Sequence, residues 1–365
     1  MEVLKNSEKF SVFKIREKNK NIILKIAHKD PKKILREVKL LKKLSSSSIF
    51  FKSKIPKIIN FGLVKKGLSK NKGFYKQDFI KGLTFSQIIQ TQKISKKNLG
   101  LLIKTLINQF LLITREKKLI SKKKNSLNYI KKTIRFEFNK IKKRRLLLNL
   151  INSKITTIDG EEYKDIKFYL EGILNSRVLK KLINHHFLSE IGHWNFHGGN
   201  IIFPSNKKFG KFHLIDPDAT WNFNDPFFSL SRFIYTYPHD TMEFDKYSIY
   251  SENFRPGNNK DEMNFKCKIL WKKEILRKYN VAFNKFFAKD LKANPLFKNL
   301  NELEFLRYNL TIILCFIRGI NSNYEQKINF LNKKSSIFQN KSIYLYLLTL
   351  KRLKSFKNFL DKKYE

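Results

Sequence analysis

The sequence predicts an α+β protein with a small β-rich first part of about 80 residues and a large, mainly helical remainder. Short β-prone runs separated by polar turns occupy the first part. Beyond it, apolar residues recur at helical spacing over long stretches. No internal repeat and no low-complexity linker interrupts this order.

The first part contains four extended runs. Residues 10–15 and 22–27 are apolar and β-prone, and the polar run 17–21 between them predicts a hairpin. Residues 56–64 are a further extended stretch that opens on a proline, and residues 74–80 predict another strand. We therefore expect one small sheet.

Helices are expected between and after these strands. Thr84 is placed to cap a helix, and the chain from there to about residue 190 is expected to be mostly helical. Residues 201–203 and 212–216 predict an embedded hairpin, and helices are expected again from about residue 262. An earlier helix is predicted after Pro31 from the four-and-three spacing of Ile34, Val38, Leu41 and Leu44.

The charge is strongly positive, with 76 Lys and Arg against 30 Asp and Glu, a formal net charge of +46. One interpretation is a polyanionic partner such as an anionic membrane surface, an acidic glycan or nucleic acid. The other is a solvated lysine-rich surface, since the lysines are spread along the chain. No helix-turn-helix, zinc or RNA-binding signature is present, which disfavours nucleic acid.

The two cysteines, Cys267 and Cys315, cannot form a disulfide framework and fit no zinc pattern. The first residues lack the apolar core of a signal peptide. The longest apolar run, about residues 310–317, is too short to span a bilayer. We therefore expect a soluble, cytoplasmic protein.

The stretch from Gly192 to Asp216 carries the clearest chemical signal. Asn200 and Asp216 lie 16 residues apart across the predicted hairpin, so their side-chain oxygens can approach one point. Mg²⁺ takes such hard oxygen ligands, few from protein and the rest from phosphate and water. The alternatives are that both residues only form turns, or that His193 and His197 bind zinc; the glycines after His197 disfavour a helical histidine pair.

This stretch resembles the catalytic loop of the aminoglycoside phosphotransferase and choline kinase family, which has a protein-kinase-like fold. The family loop reads His-Gly-Asp-x-His-x-x-Asn, followed by an apolar strand and Ile-Asp. His193, His197, Gly199, Asn200 and the pair Ile215-Asp216 are in register with it. The resemblance implies that Asn200 and Asp216 are Mg²⁺ ligands and that His193 braces the loop.

The first part of the chain agrees with this resemblance. Lys25 lies in the middle of an apolar strand, and Glu37 follows 12 residues later on the predicted helix. In kinase-like folds such a lysine holds the α- and β-phosphates of ATP and pairs with a helix glutamate. Alternatives are a solvated strand lysine, and Arg36 or Lys39 as the partner of Glu37.

Residues 75–82 resemble the hinge strand whose backbone binds adenine. The resemblance places Gln77 and Phe79 at the nucleotide base, with Gly82 closing the turn before the next helix.

The sequence departs from the family pattern at three places. Asn195 stands where the family has its catalytic Asp, and an amide is a poor proton acceptor. Ser229 stands where the family often has an Asp that braces the loop. Residues 5–15 contain no glycine-rich phosphate loop.

Taken together, these residues predict a two-lobed fold with an N-lobe at 1–80 and a helical C-lobe at 81–365 that carries the catalytic hairpin 191–218. The expected activity is ATP- and Mg²⁺-dependent phosphoryl transfer to a hydroxyl of a small molecule or glycan, with Asn195 and His193 in the catalytic loop. The rival hypothesis is a pseudokinase that binds nucleotide or a partner without efficient transfer.

Overall fold

The computed structural model contains mixed helix and strand, with a small antiparallel sheet and a mainly helical remainder, as the sequence predicts. It divides into two compact units, one of residues 1–121 and 189–240 and one of residues 122–188 and 241–365. The structure describes the chain except residues 8, 48, 65–71, 91–93, 115–119, 122–125, 145–146, 182–187, 190–191, 194, 205–210, 218–224, 226, 234–249, 252–254, 257–261, 266–267, 270–300, 329–334 and 365.

The first unit contains a five-stranded antiparallel sheet in the order β1-β2-β3-β5-β4. Its strands are β1 (Glu2–Asn6), β2 (Phe10–Glu17), β3 (Lys20–Ala27), β4 (Ile58–Leu63) and β5 (Gly73–Asp78). The four predicted runs are confirmed as β2 to β5. The sequence analysis missed β1, because all five of its residues are exposed and it has no buried face to mark it.

The turn between β2 and β3 contains no glycine. Lys18 and Asn19 both adopt left-handed backbone angles, with φ of 46° and 62°, and Glu17 pairs with Lys20 across the turn. Two consecutive left-handed residues give the turn the twist that antiparallel strands require. The hairpin therefore accepts a conformation that is costly at Lys18 and common at asparagine.

Helix α1 (Pro31–Ser47) packs on one face of this sheet, and α2 (Ile49–Lys54) follows it. The predicted apolar stripe of α1 is confirmed, since Ile34, Val38, Leu41 and Leu44 are all buried. Ile34 and Val38 form a core cluster with Ala27 of β3 and Tyr75 of β5. This packing fixes α1 against the central strands.

A second, three-stranded sheet of the first unit joins the predicted hairpin to an earlier segment. Strand β11 (Ile201–Pro204) pairs with β12 (His213–Leu214) on one side and with β6 (Gly82–Thr84) on the other. The hairpin prediction is confirmed, but residues 82–84 form a strand before the helix begins.

Thr84 caps α3 (Phe85–Gln90) as predicted, and α4 (Lys96–Thr114) follows. The Thr84 Oγ1 accepts from the backbone N–H of Gln87 at 3.2 Å, and the Gln87 Oε1 accepts from the backbone N–H of Thr84 at 2.9 Å. This reciprocal pair is a capping box.

The second unit is mainly helical but contains strands that the sequence analysis missed. A hairpin of β8 (Ile155–Ile158) and β9 (Glu161–Lys164) interrupts the stretch expected to be helical, and its turn uses left-handed Asp159 and Gly160. Strands of only four residues are too short for their alternation to be distinguished from helical periodicity in the sequence. The other short strands of this unit are β13 (Tyr250–Ser251), β14 (Arg255–Pro256), β15 (Glu262–Phe265) and β16 (Lys268–Ile269). Strand β7 (Ile120–Ser121) belongs to the first unit, and β10 (Leu188–Ser189) lies at the point in the chain where the second unit gives way to the first.

Long helices form the core of this second unit, and the expectation of C-terminal helices is confirmed from residue 302 onward. The last two helices pack against each other along their length. The helices are α5 (Ser126–Ile141), α6 (Leu148–Asn152), α7 (Ile166–Leu174), α8 (Arg177–Lys181), α9 (Glu302–Ile328) and α10 (Ser335–Tyr364). Among the described helices, none combines the length and apolarity needed to cross a membrane.

Candidate active site

Lys25 and Glu37 form a buried ion pair in the first unit. Lys25 lies in the middle of β3 and is 5% exposed, and its Nζ lies 2.8 Å from the Glu37 Oε1 and 2.9 Å from the Oε2. Glu37 is on the buried face of α1, one residue before Val38. The Tyr75 hydroxyl, opposite Lys25 in the strand register, donates to the Glu37 Oε1 at 2.8 Å. The packing of α1 on the sheet therefore places the Glu37 carboxylate next to Lys25.

Asp216 completes a group of three charges. The Lys25 Nζ also donates to the Asp216 Oδ1, so a single ammonium joins the carboxylates of α1 and of the segment after β12. Asp216 has a left-handed backbone with φ of 54°, a conformation that few residues other than glycine adopt, although aspartate adopts it more often than most. Residues held in this way often lie at functional sites.

Two opposing effects determine the pKa values of Lys25, Glu37 and Asp216: burial, which disfavours the charged form, and pairing with an opposite charge, which favours it. Burial lowers the pKa of Lys25, but Glu37 and Asp216 outweigh it and hold this pKa above its ordinary value. Burial raises the pKa of Asp216, but Lys25, with Lys5 and His197, outweighs it and holds this pKa below its ordinary value. Burial raises the pKa of Glu37, and Lys25 does not fully offset it. We infer that the ammonium and the Asp216 carboxylate are both charged at neutral pH.

Asn195 and Asn200 hold the backbone of Asp216 through their side-chain amides. The Asn195 Nδ2 donates to the Asp216 carbonyl oxygen at 2.9 Å. The Asn200 Nδ2 donates to the same carbonyl at 3.3 Å and to the Asn195 carbonyl at 3.1 Å. Both acceptors are carbonyl oxygens, which fixes the nitrogen of each amide and leaves each Oδ1 as an acceptor.

The donor set fits a magnesium ion that arrives with a nucleotide. Asn200 and Asp216 offer one amide oxygen and one carboxylate, hard donors that Mg²⁺ accepts. Within the described ranges there is no group of three or more His, Cys, Asp or Glu side chains that could hold a metal ion. The two donors, Asn200 and Asp216, suit a site that phosphate oxygens and water complete.

The two histidines are built into the loop. His193 is 2% exposed, and its ring packs edge-on against Phe196 with centroids 6.5 Å apart. His197 begins the short 3₁₀ helix Gly198–Asn200, and its Nδ1 accepts from the backbone N–H of Gly199 at 3.2 Å. Burial, Arg232 and other neighbouring cations lower the pKa of His197 to about 3, so it is neutral at neutral pH. Both rings are placed to shape the loop that carries Asn195 and Asn200.

One cavity of about 350 Å³ brings four of the predicted residues together, whereas Asn200 and His193 are not among its lining residues. Lys25, Glu37, Asn195 and Asp216 all line it. The remaining lining residues are Lys9, Phe10, Ala27, Lys29, Asp30, Lys33, Ile34 and Pro217. The strand lysine and the hairpin carboxylate, 191 residues apart in the chain, therefore face the same space.

Gln77 and Phe79 lie at the end of β5 and beyond it. Gln77 is 4% exposed, and its Oε1 has no hydrogen-bond partner among the described residues. The Lys14 Nζ lies 5.0 Å from the centre of the Phe79 ring. Neither residue lines the cavity, so contact with a nucleotide base stays a prediction. Trp194 and Asp218, which fall in the predicted catalytic hairpin 191–218, lie outside the described residues.

Sequence reasoning missed Tyr75 and the lysines around the cavity. Tyr75 is 2% exposed and hydrogen-bonded to Glu37, but a tyrosine in an apolar strand carries no signal of its own. Lys9, Lys29 and Lys33 are exposed residues in a chain with many lysines, so only the cavity distinguishes them. Lys5 was missed together with β1.

Comparison with solved structures shows that the chain has the protein-kinase-like fold of the aminoglycoside phosphotransferases. A thermostable mutant of aminoglycoside phosphotransferase APH(4)-Ia in its apo form matches with a TM-score of 0.52 and 9% identity, over 95% of this chain and 93% of that chain. A candidate aminoglycoside phosphotransferase of Ralstonia eutropha JMP134 matches with a TM-score of 0.54 and 10% identity, over 97% and 92%. Neither models of protein families nor curated protein sequences give a match.

Proposed function

We propose that the protein is an ATP-dependent phosphotransferase that acts on a hydroxyl group of a small molecule or glycan. The observation that carries this proposal is the single cavity lined by Lys25, its partner Glu37, Asp216 and Asn195. A buried ammonium beside a metal-competent carboxylate is the arrangement that phosphoryl transfer requires. The kinase-like fold is consistent with it.

The proposed roles follow the geometry of the site. Lys25, oriented by Glu37, binds the α- and β-phosphates, and Asn200 with Asp216 holds Mg²⁺. The backbone near Gln77 and Phe79 binds the base, and His193 braces the loop. ATP with Mg²⁺, when bound, would supply the γ-phosphoryl group: its bond to the β-phosphate oxygen breaks as a bond to the acceptor oxygen forms, and the proton of the acceptor hydroxyl leaves to solvent.

Asn195 takes the position nearest to the acceptor in this proposal. Its Oδ1 can accept a hydrogen bond from the acceptor hydroxyl and orient it, because its Nδ2 is already bound to the Asp216 carbonyl. It cannot take up the proton as a carboxylate does, and the loss of a general base costs about 10²–10⁴ in rate. We therefore expect slow transfer, sustained by positioning and charge.

The lobes keep their predicted bounds as part of the proposal, with residues 1–80 for the nucleotide and residues 81–365 for the acceptor. APH(4)-Ia mutants have been crystallised in ternary complexes with ADP or AMP-PNP and the small molecule hygromycin B. Those ligands support a nucleotide together with a small-molecule acceptor as the pair to test first.

The second candidate function is a pseudokinase. It is favoured by the contact of the Asn195 Nδ2 with the Asp216 carbonyl, which gives the amide a structural task that needs no catalysis. A protein of this kind binds nucleotide through Lys25 and Asp216 but transfers no phosphate.

The test combines binding and turnover on the purified full chain. Binding of ATP with Mg²⁺ is measured by calorimetry and by the rise in melting temperature, and transfer of labelled γ-phosphate is measured over a panel of aminoglycosides, aminocyclitols, amino alcohols and saccharides. Phosphotransferase activity predicts both signals. Binding of ATP without transfer to any acceptor supports the pseudokinase. If the protein neither binds ATP nor transfers phosphate, both candidate functions are wrong.

Three variants and one control make the test specific. Lys25→Met and Asp216→Asn are expected to lower transfer at least about 100-fold, because each removes a charge that the transition state needs. Lys20→Met removes an exposed lysine from the start of the same strand and should leave transfer unchanged. Asn195→Asp supplies a base but loses the hydrogen bond to the Asp216 carbonyl, so a gain in transfer only in that variant identifies the wild-type chain as a pseudokinase.

A further inference from the structure

Lysines surround the opening of the cavity outside the charge group of Lys25. Lys9, at the residue before β2, and Lys29 and Lys33, before and within α1, all line it. The one other carboxylate among the lining residues is Asp30, whose Oδ2 lies 2.9 Å from Arg36 and whose Oδ1 accepts from the backbone N–H of Lys33. The opening therefore carries an excess of positive charge.

The ammonium groups of Lys9 and Lys33 make no ion pair or hydrogen bond with any described residue. The same holds for Lys20 and Lys32, which do not line the cavity. By contrast, Lys14 pairs with Glu2 at 2.9 Å, and Lys76 pairs with Glu17. The place of Lys9 and Lys33 at the cavity, beside the charge group of Lys25, therefore distinguishes them from other lysines without ion pairs.

Two backbone N–H groups of the turn between β1 and β2, those of Ser7 and Phe10, are already hydrogen-bonded within the turn. The Ser7 N–H donates to the Phe10 carbonyl at 3.0 Å, and the Phe10 N–H donates to the Ser7 Oγ at 3.2 Å. The Ser7 hydroxyl closes the same turn by donating to the Phe10 carbonyl at 2.9 Å. A phosphate-binding loop works through free backbone N–H groups, usually at glycines, and residues 1–61 contain no glycine.

Lys5 adds a further positive charge from β1. Its Nζ lies 4.8 Å from the centre of the ring of Phe10, which lines the cavity. It also helps to lower the pKa of Asp216. The positive field at the opening thus extends from α1 to the edge of the sheet.

Resting on the proposed function, we infer that Lys9 and Lys33 bind the polyphosphate chain of the donor nucleotide and do with ammonium groups what a glycine-rich loop does with backbone N–H groups. A charged donor makes a stronger hydrogen bond to phosphate than a neutral amide does. Its reach through a flexible side chain removes the need for glycine at the turn. The donor is then recognised mainly through its phosphates.

This assignment has a measurable consequence. Affinity rises steeply from AMP to ADP to ATP, and inorganic tripolyphosphate, which has no base or sugar, binds and competes with ATP. Affinity also falls with added salt, because exposed ammonium groups attract phosphate through a field that salt screens.

The experiment measures binding of AMP, ATP and tripolyphosphate by calorimetry at fixed ionic strength, with and without Mg²⁺. The test protein carries Lys9→Ala with Lys33→Ala. The matched control carries Lys20→Ala with Lys32→Ala, which removes two exposed lysines from the same sheet and the same helix turn, away from the cavity. The melting temperature of each variant confirms that it is folded.

The expected result is a loss of about tenfold per lysine in affinity for ATP and tripolyphosphate, with AMP affected less than threefold and the control unchanged. Wild-type affinity for ATP in the double variant, with Lys25→Met abolishing binding, overturns this inference and leaves the nucleotide site intact. If the wild type binds tripolyphosphate through these lysines but does not bind ATP, the phosphate site stands and ATP is not the donor. If the wild type binds neither compound, both this inference and the proposed function are wrong.

Discussion

At the scale of single residues, the site depends on two amides that hold one carbonyl. Asn195 and Asn200 both donate to the backbone of Asp216, whose left-handed conformation would otherwise be unfavourable. Only side chains with an N–H donor can do this, so a carboxylate at position 195 is not equivalent even though it is nearly the same shape. The Asn195 amide therefore has a structural role that is independent of catalysis.

His197 gives a prediction about pH at the same scale. Its pKa is about 3 in the folded state and near 6.5 when unfolded, so below pH 6.5 the unfolded chain binds the proton first. The stability that neutral His197 contributes is complete above pH 6.5 and is lost as the pH falls toward 3. Between pH 7 and pH 5 we expect a loss of about 1–2 kcal/mol in the free energy of unfolding.

The measurement is urea unfolding from pH 7.5 to pH 5 for the wild type and His197→Asn. Asparagine keeps an acceptor for the Gly199 N–H and does not titrate. Between pH 7 and pH 5 the free energy of unfolding should fall by about 1–2 kcal/mol less in His197→Asn than in the wild type. Parallel pH profiles for the two proteins would contradict the prediction.

At the scale of elements, the site depends on strand β6, which the sequence pattern does not predict. Strand β6 pairs with β11, and a helix with its own capping box follows immediately. Residues 82–84 thereby tie the segment after β5 to the hairpin that carries Asn200 and Asp216. Backbone pairing, which leaves no trace in side-chain pattern over three residues, sets this link.

Gly82 is the position where this link is most sensitive. A Cβ atom at Gly82 would clash with the Phe203 carbonyl oxygen, whereas one at Gly62 of β4 would meet only the Phe74 ring at 3.5 Å. We expect Gly82→Ala to lower the free energy of unfolding by at least about 2 kcal/mol, since backbone atoms must move. Gly62→Ala should change it by less than about 0.5 kcal/mol.

Denaturant unfolding of both variants checks this, with nucleotide affinity as a second readout. Gly82→Ala should also weaken binding of ATP, because β11 directly follows Asn200 and pairs with β12, which leads to Asp216. Equal stability of the two alanine variants would show that β6 and β11 separate without cost.

At the scale of the whole molecule, the net charge of +46 dominates long-range electrostatics. The described ion pairs use few of the lysines, and most of these pairs are exposed, so each contributes little. Repulsion among the remaining ammonium groups opposes the compact state. The Debye length falls from about 30 Å at 0.01 M salt to about 8 Å at 0.15 M, which screens this repulsion.

Added salt should therefore stabilise the protein. Raising NaCl from 0.01 M to 0.15 M is expected to raise the melting temperature by roughly 3 °C or more, measured by circular dichroism. Repeating the scan with sodium fluoride separates screening from specific anion binding. A melting temperature that falls with both salts would mean that the ion pairs outweigh the repulsion.

Much of the fold was predictable because its signals are local. The stripe of α1, the strands β2, β3 and β5, and the cap at Thr84 follow from spacing, β-propensity and capping chemistry within a few residues of each position. What was missed lacks such signals, since β1 is fully exposed and the β8–β9 hairpin consists of four-residue strands.

The sequence by itself determined which residue types could meet: an ammonium in an apolar strand, a glutamate 12 residues later, and an amide and a carboxylate across a hairpin. Only the tertiary structure decided that they do meet, with Lys25 between Glu37 and Asp216 and the unpaired Lys9 and Lys33 at the opening of the same cavity. The physical reason is that contacts between residues 191 positions apart arise from packing of α1 and pairing of β6 with β11. No local pattern encodes such a distance.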